Sequence, residues 1–293
     1  MATKLDISEL DFDDIKLNLK TFLSQQDEFR DYDFEGSGMS VLLDVLAYNT
    51  HYLGFNANML ANEMFLDSAD LRSSVVSLAK QVGYTPRSMK SPVANINVVV
   101  NEAVGPSVTM ARGTKFTTFL DGQTYAFVNN ADITVIPADG VYTFQNVDIY
   151  EGTYLNFKYT VNTTDIDQRF LIPNNNVDTE TLTVKVQNSI SDSITNVYTL
   201  ASGITGLDST SKVYFLQEVE DGRFEVSFGD GILGKKVDDG NIVILDYIVT
   251  NGDLANGARN FALSGTIGGF ANTTITTNSV AFDGNDAETV TSI

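Results

Sequence analysis

The content of glycine and proline changes abruptly near residue 85 of this 293-residue sequence. Residues 1–85 contain no proline and only four glycines, whereas proline, glycine and Asn/Asp turn residues recur through the remainder. Glycine and proline interrupt regular structure, so this contrast favours long helices in the first part and short strands in the second. The sequence therefore predicts an α+β protein. We expect a helical domain over 1–90, a mainly antiparallel β domain over 91–281, and the start of a further region over 282–293.

A heptad pattern runs through the central helix of the first part. Apolar or small residues recur every seven positions, and again four positions after each: Met39, Leu43, Leu46, Thr50, Leu53, Ala57, Leu60 and Met64. This spacing is typical of a coiled-coil seam between chains. An ordinary amphipathic helix packed inside its own domain explains a single copy of the pattern equally well, so the residues alone leave both interpretations open.

Two further helices are predicted beside the central one. In the first, Ile15, Leu19, Phe22 and Leu23 form one apolar stripe. The last is expected to begin at Ser68 as its N-cap and to end at Gly83 and Pro86. Its expected apolar face contains Leu71, Val75, Leu78 and Val82.

From Val93 onward, apolar and polar residues alternate with a period close to two, as in half-buried strands. Asp-Gly and Asn-Gly pairs, which tolerate the positive φ angles of tight hairpins, are predicted to mark turns between antiparallel strands. They begin at Asp121, Asp139, Asp221, Asp230, Asp239, Asn251, Asn256 and Asp283. The pattern also allows one sheet to be inserted into another.

Composition excludes several classes of function. The formal charge of −20 opposes the neutralisation of phosphates that nucleic-acid binding requires. The absence of cysteine excludes disulfides, thiolate metal sites and a cysteine nucleophile. The acidic N-terminus and the lack of an apolar run of about 18 residues predict a soluble protein without membrane insertion.

The search for catalytic chemistry finds no candidate. His51 is the single histidine and there is no cysteine, so a zinc site would have to be nearly all carboxylate, which suits zinc poorly. Adjacent carboxylates, as at Asp13 with Asp14, Asp27 with Glu28 and Asp238 with Asp239, are typical of helix starts and solvated turns. The FGDGILGKK segment from Phe228 to Lys236 lacks the Ser/Thr of a P-loop and has no complete EF-hand spacing for calcium. We predict no catalytic residue, no metal and no cofactor.

Three parts of the sequence carry a resemblance to a known family. DEFRDYDFEGSGMSVLLDVLAYNTHY, from Asp27, is followed by LRSSVVSLAKQVGYTP, from Leu71, and this region resembles the N-terminal part of the baseplate wedge proteins of T-even-type contractile-tailed phages, in the baseplate J-like family. FEVSFGDGILGKKVDDGNIVILDYIVTNGDLANGA, from Phe224, is similar to the glycine-aspartate signature of that family. MARGTKF also resembles a family segment, although Ala111 stands where proline is common. Family members continue beyond a segment like GNDAETVTSI into a mixed α/β region.

The resemblance implies a non-enzymatic structural subunit of the tail baseplate, located in the virion and assembled in the host cytoplasm. Its partners would be a second copy, other wedge subunits and the sheath-initiator protein. A helical-bundle interface would be formed by Met39, Leu43, Leu46, Leu53, Ala57, Leu60 and Met64. Structural turns would lie at Gly36, Gly229, Asp230 and Gly231, with Tyr32 and Phe34 packing at the entry to the helix.

An alternative from another class is a glycan-binding or glycan-cleaving tail module, suggested by the tyrosine- and aspartate-rich β half. This alternative predicts an exposed groove with aromatic platforms and two opposed carboxylates.

Overall fold

The computed structural model describes residues 11–26, 36–203 and 205–293. The chain divides into a helical unit that ends at Tyr84 and a β unit from Thr85 to Ser292. The predicted α+β class, with helices first and a mainly antiparallel β part second, is confirmed. The segment that follows the last strand packs within the β unit, where Lys90 and Asn285 exchange backbone hydrogen bonds of 2.9 and 3.0 Å.

The helical unit contains α1 (Phe12–Ser24), α2 (Gly38–Glu63) and α3 (Arg72–Gln81). Asp11 caps α1 by accepting a hydrogen bond from the Phe12 N–H, and Asp13 and Asp14 lie in its first turn, where the helix dipole favours negative charge. The Ser37 hydroxyl caps α2 by accepting from the Ser40 N–H at 3.0 Å. Helix α2 is a continuous helix of 26 residues, and α1 packs against it.

The start of α3 differs from the prediction. Ser68 is not its N-cap: the helix begins at Arg72, and the Ser68 hydroxyl donates to the carbonyl of Asn62 at 2.7 Å. The Glu63 carboxylate, at the end of α2, instead accepts from the backbone N–H groups of Asp70 and Leu71 at 2.9 and 3.2 Å. A side chain from the preceding helix therefore satisfies the amides that a local cap was expected to satisfy.

The apolar faces of the outer helices also depart from the predicted stripes. In α3, Val75 is buried as expected, but Leu71 and Val82 are exposed, and the other buried side chains are Val76 and Ala79. In α1, Ile15 is buried while Phe22 is exposed. Gly83 ends the third helix as predicted, in a left-handed conformation with φ of +78°.

The β unit contains two large sheets and a small one. Sheet A has six strands in the order β14-β3-β4-β6-β1-β15, and sheet B has seven in the order β7-β13-β9-β10-β11-β12-β8. Strands β2 (Val108–Met110) and β5 (Ile133–Val135) form a separate pair. The strands of sheet A are β1 Val93–Val100, β3 Lys115–Leu120, β4 Gln123–Asn129, β6 Tyr142–Glu151, β14 Ala262–Ser264 and β15 Thr273–Phe282. Those of sheet B are β7 Thr153–Thr160, β8 Phe170–Leu171, β9 Val177–Gln187, β10 Thr195–Leu200, β11 Val213–Glu218, β12 Phe224–Phe228 and β13 Ile242–Val249.

Sheet B is an insertion in sheet A, because all its strands lie between β6 and β14 in the sequence. Among the residues that the structure describes, every strand pair is antiparallel except β10 with β11, which is parallel. Each sheet has its own hydrophobic core: Phe116, Phe127 and Phe144 are fully buried in the core of sheet A, and Val184, Leu245 and Tyr247 in that of sheet B. The inserted sheet anticipated from the sequence is therefore present, with an apolar core of its own.

The Asp-Gly and Asn-Gly pairs are only partly the hairpin turns that were predicted. Asp121 and Gly122 have φ of 49° and 85° and join β3 to β4 as a two-residue turn of type I′. The pairs that begin at Asp139 and Asp221 share these left-handed conformations. Asn251 and Asn256, however, lie on the connection between β13 and β14, which contains a short 3-10 helix, and Asp283 follows the last strand. The dipeptide marks a turn more reliably than it marks a hairpin.

Across the ranges that the structure describes, no helix combines the length and the apolar character needed to cross a bilayer.

Candidate assembly surface

Helix α2 exposes large apolar side chains on two of its three sides. A first stripe, here called the leucine stripe, is formed by exposed residues with heptad spacing: Leu42, Leu46, Leu53, Leu60 and Met64. A second stripe, the aromatic stripe, has a strict 4-3-4-3-4 spacing: Val41, Val45, Tyr48, Tyr52, Phe55 and Met59. At 3.6 residues per turn, the centres of the two stripes are about 120° apart around the helix axis.

The third side of α2 is the one that the chain covers itself. It holds Ser40, Leu43 and Ala47, which are the buried residues of this helix. Next to them, the Lys16 ammonium of α1 lies 2.5 Å from the Asp44 carboxylate. Two of these three buried side chains, Ser40 and Ala47, are small. The side of α2 that the chain covers therefore contains little of the apolar surface of the helix.

The predicted interface residues fall on more than one side of the helix. Leu46, Leu53, Leu60 and Met64 lie on the exposed leucine stripe, and Ala57 is exposed beside it. Met39 is half-buried. Leu43 is only 3% exposed, so it is already packed within the helical unit.

The aromatic stripe was not singled out from the sequence, although its spacing was visible there. Each of its six side chains is between 45% and 62% exposed. The rings of Tyr48 and Tyr52 stack with centroids 6.2 Å apart, which gives the stripe a continuous aromatic centre. Large exposed apolar patches are typical of interaction sites, so the aromatic stripe is a candidate for one.

The exposed face of α2 carries almost no charge. No Asp, Glu, Lys or Arg lies between Asp44 and Glu63, and both of these carboxylates have partners inside the helical unit. Hydrogen bonds from the Ser74 side chain and from the backbone of Asp70 lower the pKa of Glu63. The net charge of −20 therefore lies outside the two stripes.

The predicted structural turns lie at two sites. Gly36 is in the turn just before α2, while Tyr32 and Phe34 lie outside the described residues. On the connection from β12 to β13, an added Cβ on Gly229 would collide with the backbone of Leu233 and Gly234. Asp230 accepts from the N–H groups of Leu233 and Ile232 at 2.9 and 2.8 Å, and these bonds lower its pKa. The next regular element is a strand, so the segment does not have the strand-to-helix context of a P-loop.

A polar cluster joins the two sheets of the β unit. Asp246 of β13 is 2% exposed and accepts from the Tyr154 hydroxyl at 2.8 Å, from Asn156, and from the Lys185 ammonium at 3.0 Å. Arg112, from the connection that leads into β3 of sheet A, lies 3.3 Å from the same carboxylate and donates to Thr183 at 3.1 Å. Its guanidinium also lies over the Tyr154 ring, 5.1 Å from the centroid. At this cluster the two sheets are joined by ion pairs and hydrogen bonds.

Burial and hydrogen bonding shift two pKa values in this cluster in opposite directions. Burial alone raises the pKa of Asp246, but the bonds from Asn156, Tyr154 and Lys185 together bring it below its ordinary value. Burial and the hydrogen bond to Asp246 raise the pKa of Tyr154 to about 12. At neutral pH the cluster therefore pairs an ionised carboxylate with a neutral phenol.

The other candidate groups stay apart. His51 is half-buried on α2. Within the described ranges, no three His, Asp or Glu side chains are grouped so that they could hold a metal ion. Asp239 accepts from the Thr163 N–H at 2.9 Å in a turn, which is the structural role expected for adjacent carboxylates.

Comparison with known proteins matches the helical unit to a described family. Residues 11–84, which contain all three helices, match the family described as baseplate wedge protein gp6-like, helical domain. The chain is also 31% identical over 275 residues to the baseplate wedge protein gp6 of Enterobacteria phage T4. The resemblance to baseplate wedge proteins is confirmed. This alignment covers 87% of the chain, so it extends into the β unit, and it spans 40% of the length of the T4 protein. The two exposed stripes of α2 thus lie within the residues that match the gp6-like helical domain.

Proposed function

We propose that this chain is a structural subunit of the baseplate wedge of a contractile phage tail and that α2 is its assembly helix. The observation that carries the proposal is the pair of exposed apolar stripes on a helix of a gp6-like helical domain. Two exposed apolar stripes do not stabilise a free monomer, whereas a helical bundle is stabilised because it buries both of them.

The leucine stripe is the proposed site of pairing with a second copy. Two α2 helices can meet along this stripe without repulsion, since the segment between Asp44 and Glu63 is uncharged. Leu46, Leu53 and Leu60 would form the centre of the contact, with Ala57 allowing close approach and Met39 and Met64 near its ends.

The aromatic stripe is the proposed site of a helix from another wedge subunit. A partner helix that covers the leucine stripe leaves a surface about 120° away uncovered, so a second partner is needed. The sheath-initiator protein is proposed as a neighbour of the same assembly. The β unit would then space and link wedges around the tail tube.

The proposed role is mechanical and does not include catalysis. A baseplate subunit holds a ring together and passes on a change of shape through interfaces that have two arrangements. The chain would be found in the tail baseplate of the virion after assembly in the host cytoplasm.

The test is the molar mass in solution of a chain with Leu46→Asp and Leu53→Asp. We expect the unsubstituted chain to associate and the double variant to be monomeric, because two buried carboxylates without partners oppose pairing. The thermal unfolding transition of the β unit should be unchanged, as measured by circular dichroism.

A matched control carries the same two charges on the other stripe, through Val45→Asp and Tyr52→Asp. It should retain self-association. A wild-type chain that stays monomeric at all accessible concentrations would contradict the proposal, and so would equal loss of association in both variants.

A further inference from the structure

One sheet edge of the β unit lacks the usual protection against pairing with another chain. Sheet A ends in β14, which has three residues, and in β15, which has ten. Sheet B ends in the two-residue β8 and in β7, which carries Lys158. Short length and charged residues are the common means by which proteins block edge-to-edge pairing. Strand β15, TTITTNSVAF, has neither these nor a proline.

Part of this edge is covered within the chain and part is open. The Gly257 N–H donates to the carbonyl of Ala281 at 2.7 Å, and the Ala281 N–H donates to the carbonyl of Ala258 at 2.8 Å. The Thr277 hydroxyl donates to the carbonyl of Arg259 at 2.6 Å. Among the described residues, β1 is the only strand that pairs with β15, and no other backbone hydrogen bond reaches the segment from Thr273 to Thr277. All five residues of this segment are at least partly exposed, and the Ile275 side chain also packs against the core of sheet A.

The open segment is a palindrome, Thr-Thr-Ile-Thr-Thr, centred on Ile275. Antiparallel pairing of two copies about a two-fold axis at Ile275 would set isoleucine opposite isoleucine and threonine opposite threonine in every pair. Pairs of β-branched residues and Thr–Thr pairs stabilise antiparallel ladders, and an interface with two-fold symmetry requires a surface complementary to itself.

We propose that residues 273–277 form an isologous interface in which β15 pairs antiparallel with β15 of a second copy. The sheets A of two chains would then be continuous across the contact. This interface uses the β unit, does not depend on α2, and would give an assembly of these chains a second point of contact. Five residues on each strand make a small contact, so the pairing is favoured at the high local concentration of an assembly.

The sequence contains no cysteine, which allows a clean cross-linking test. With Ile275→Cys the two thiols would face each other across the axis at a Cβ separation of about 5 Å, from which a small shift of the strands reaches the ~3.5–4.5 Å of a disulfide. With Thr273→Cys, the control, the thiols would be four residues apart along the ladder, about 13 Å. We expect disulfide dimers of the first variant to form at least about tenfold faster under mild oxidation.

A charge-swap pair separates pairing from loss of structure. In the proposed register Thr274 lies opposite Thr276 of the second copy, and both are exposed. Adding Thr274→Lys and Thr276→Lys to the Ile275→Cys chain should suppress the disulfide about tenfold, because like charges would then face each other. Adding Thr274→Lys and Thr276→Glu should restore it, because each lysine would face a glutamate.

Each variant is also made with Leu46→Asp and Leu53→Asp. Cross-linking through β15 is then measured without the proposed α2 pairing, so the two proposals are tested separately. Cross-linking at Ile275→Cys that stays faster than at Thr273→Cys in this background at high protein concentration, with rescue by the charge swap, supports the interface. Equal cross-linking at positions 273 and 275, or no rescue, overturns it, whether β15 is then paired with a strand of another protein or with none.

Discussion

The helical unit and the β unit place their large apolar side chains in opposite ways. In the β unit, the aromatic and branched residues converge into one core for each sheet, and Phe116, Phe127, Phe144 and Tyr247 are at most 1% exposed. In the helical unit, Leu53, Leu60 and Phe55 are each at least 60% exposed, while Ala47 is fully buried. The β unit thus has two complete cores of its own, whereas most of the apolar surface of α2 stays exposed.

This difference shows that the buried side of a helix need not be its most apolar side. The buried side of α2 is made of Ser40, Leu43 and Ala47, so it is the least apolar of the three sides. In an independently folded helix the most apolar side faces the core, because burying it gives the most stabilisation. The reversed arrangement supports the proposal that α2 reaches its full stability only in an assembly. The comparison can be tested by substitutions matched between the two units.

The largest effect is expected in the core of sheet A. Phe127→Ala removes a fully buried ring that packs edge-on against Phe261 with centroids 4.9 Å apart. It should lower the free energy of unfolding of the β unit by about 3–5 kcal/mol, measured by chemical denaturation. Self-association through α2 should be unchanged in the folded protein. A loss below about 1 kcal/mol would show that this core is not tightly packed.

A smaller effect is expected at the junction between the sheets, with Asp246→Asn. The amide keeps the shape of the side chain but weakens the bonds from Lys185 and Arg112, at a cost of about 1–3 kcal/mol at neutral pH. Because the folded pKa of Asp246 is lowered, its contribution is present above the ordinary pKa and is lost as the pH falls through the folded value.

The measurement for this variant is the free energy of unfolding against pH. The difference between wild type and Asp246→Asn should be constant near neutral pH and should shrink as the solution becomes acidic below pH of about 4. A difference that does not vary with pH would contradict the role of the ionised carboxylate. A separate loss of stability is expected in alkali. The pKa of Tyr154 is raised in the folded state, so the folded protein favours the neutral phenol and is destabilised when that phenol ionises.

The smallest effect on stability is expected on the leucine stripe. Leu60→Ala removes a side chain that is 66% exposed, so it should change the unfolding free energy of the dilute chain by less than about 0.5 kcal/mol. The same substitution should weaken self-association measurably in sedimentation experiments, because it removes apolar surface from the proposed contact. A large loss of monomer stability would mean that Leu60 packs within its own unit and would remove the contrast between the two units.

Much of the architecture follows from patterns that are local in the sequence. The heptad spacing from Met39 to Met64 predicts a long helix, and α2 is continuous from Gly38 to Glu63. Asp121 with Gly122 predicts a tight turn, and both residues have positive φ. The prediction of the N-cap of α3 was wrong for a physical reason. The two amides just before this helix donate to Glu63, seven and eight residues earlier in the chain, and not to a neighbouring hydroxyl.

The sequence by itself determined the order of helices and strands, the spacing of the two stripes and the sites of the tightest turns. Each of these depends on backbone preferences and side-chain periods that span a few residues. Only the tertiary structure decided which side of α2 is covered and how the sheets are joined. Arg112 and Asp246 are 134 positions apart, and no local pattern links them. Such contacts depend on which surfaces meet when the chain folds, and that is a property of the whole chain.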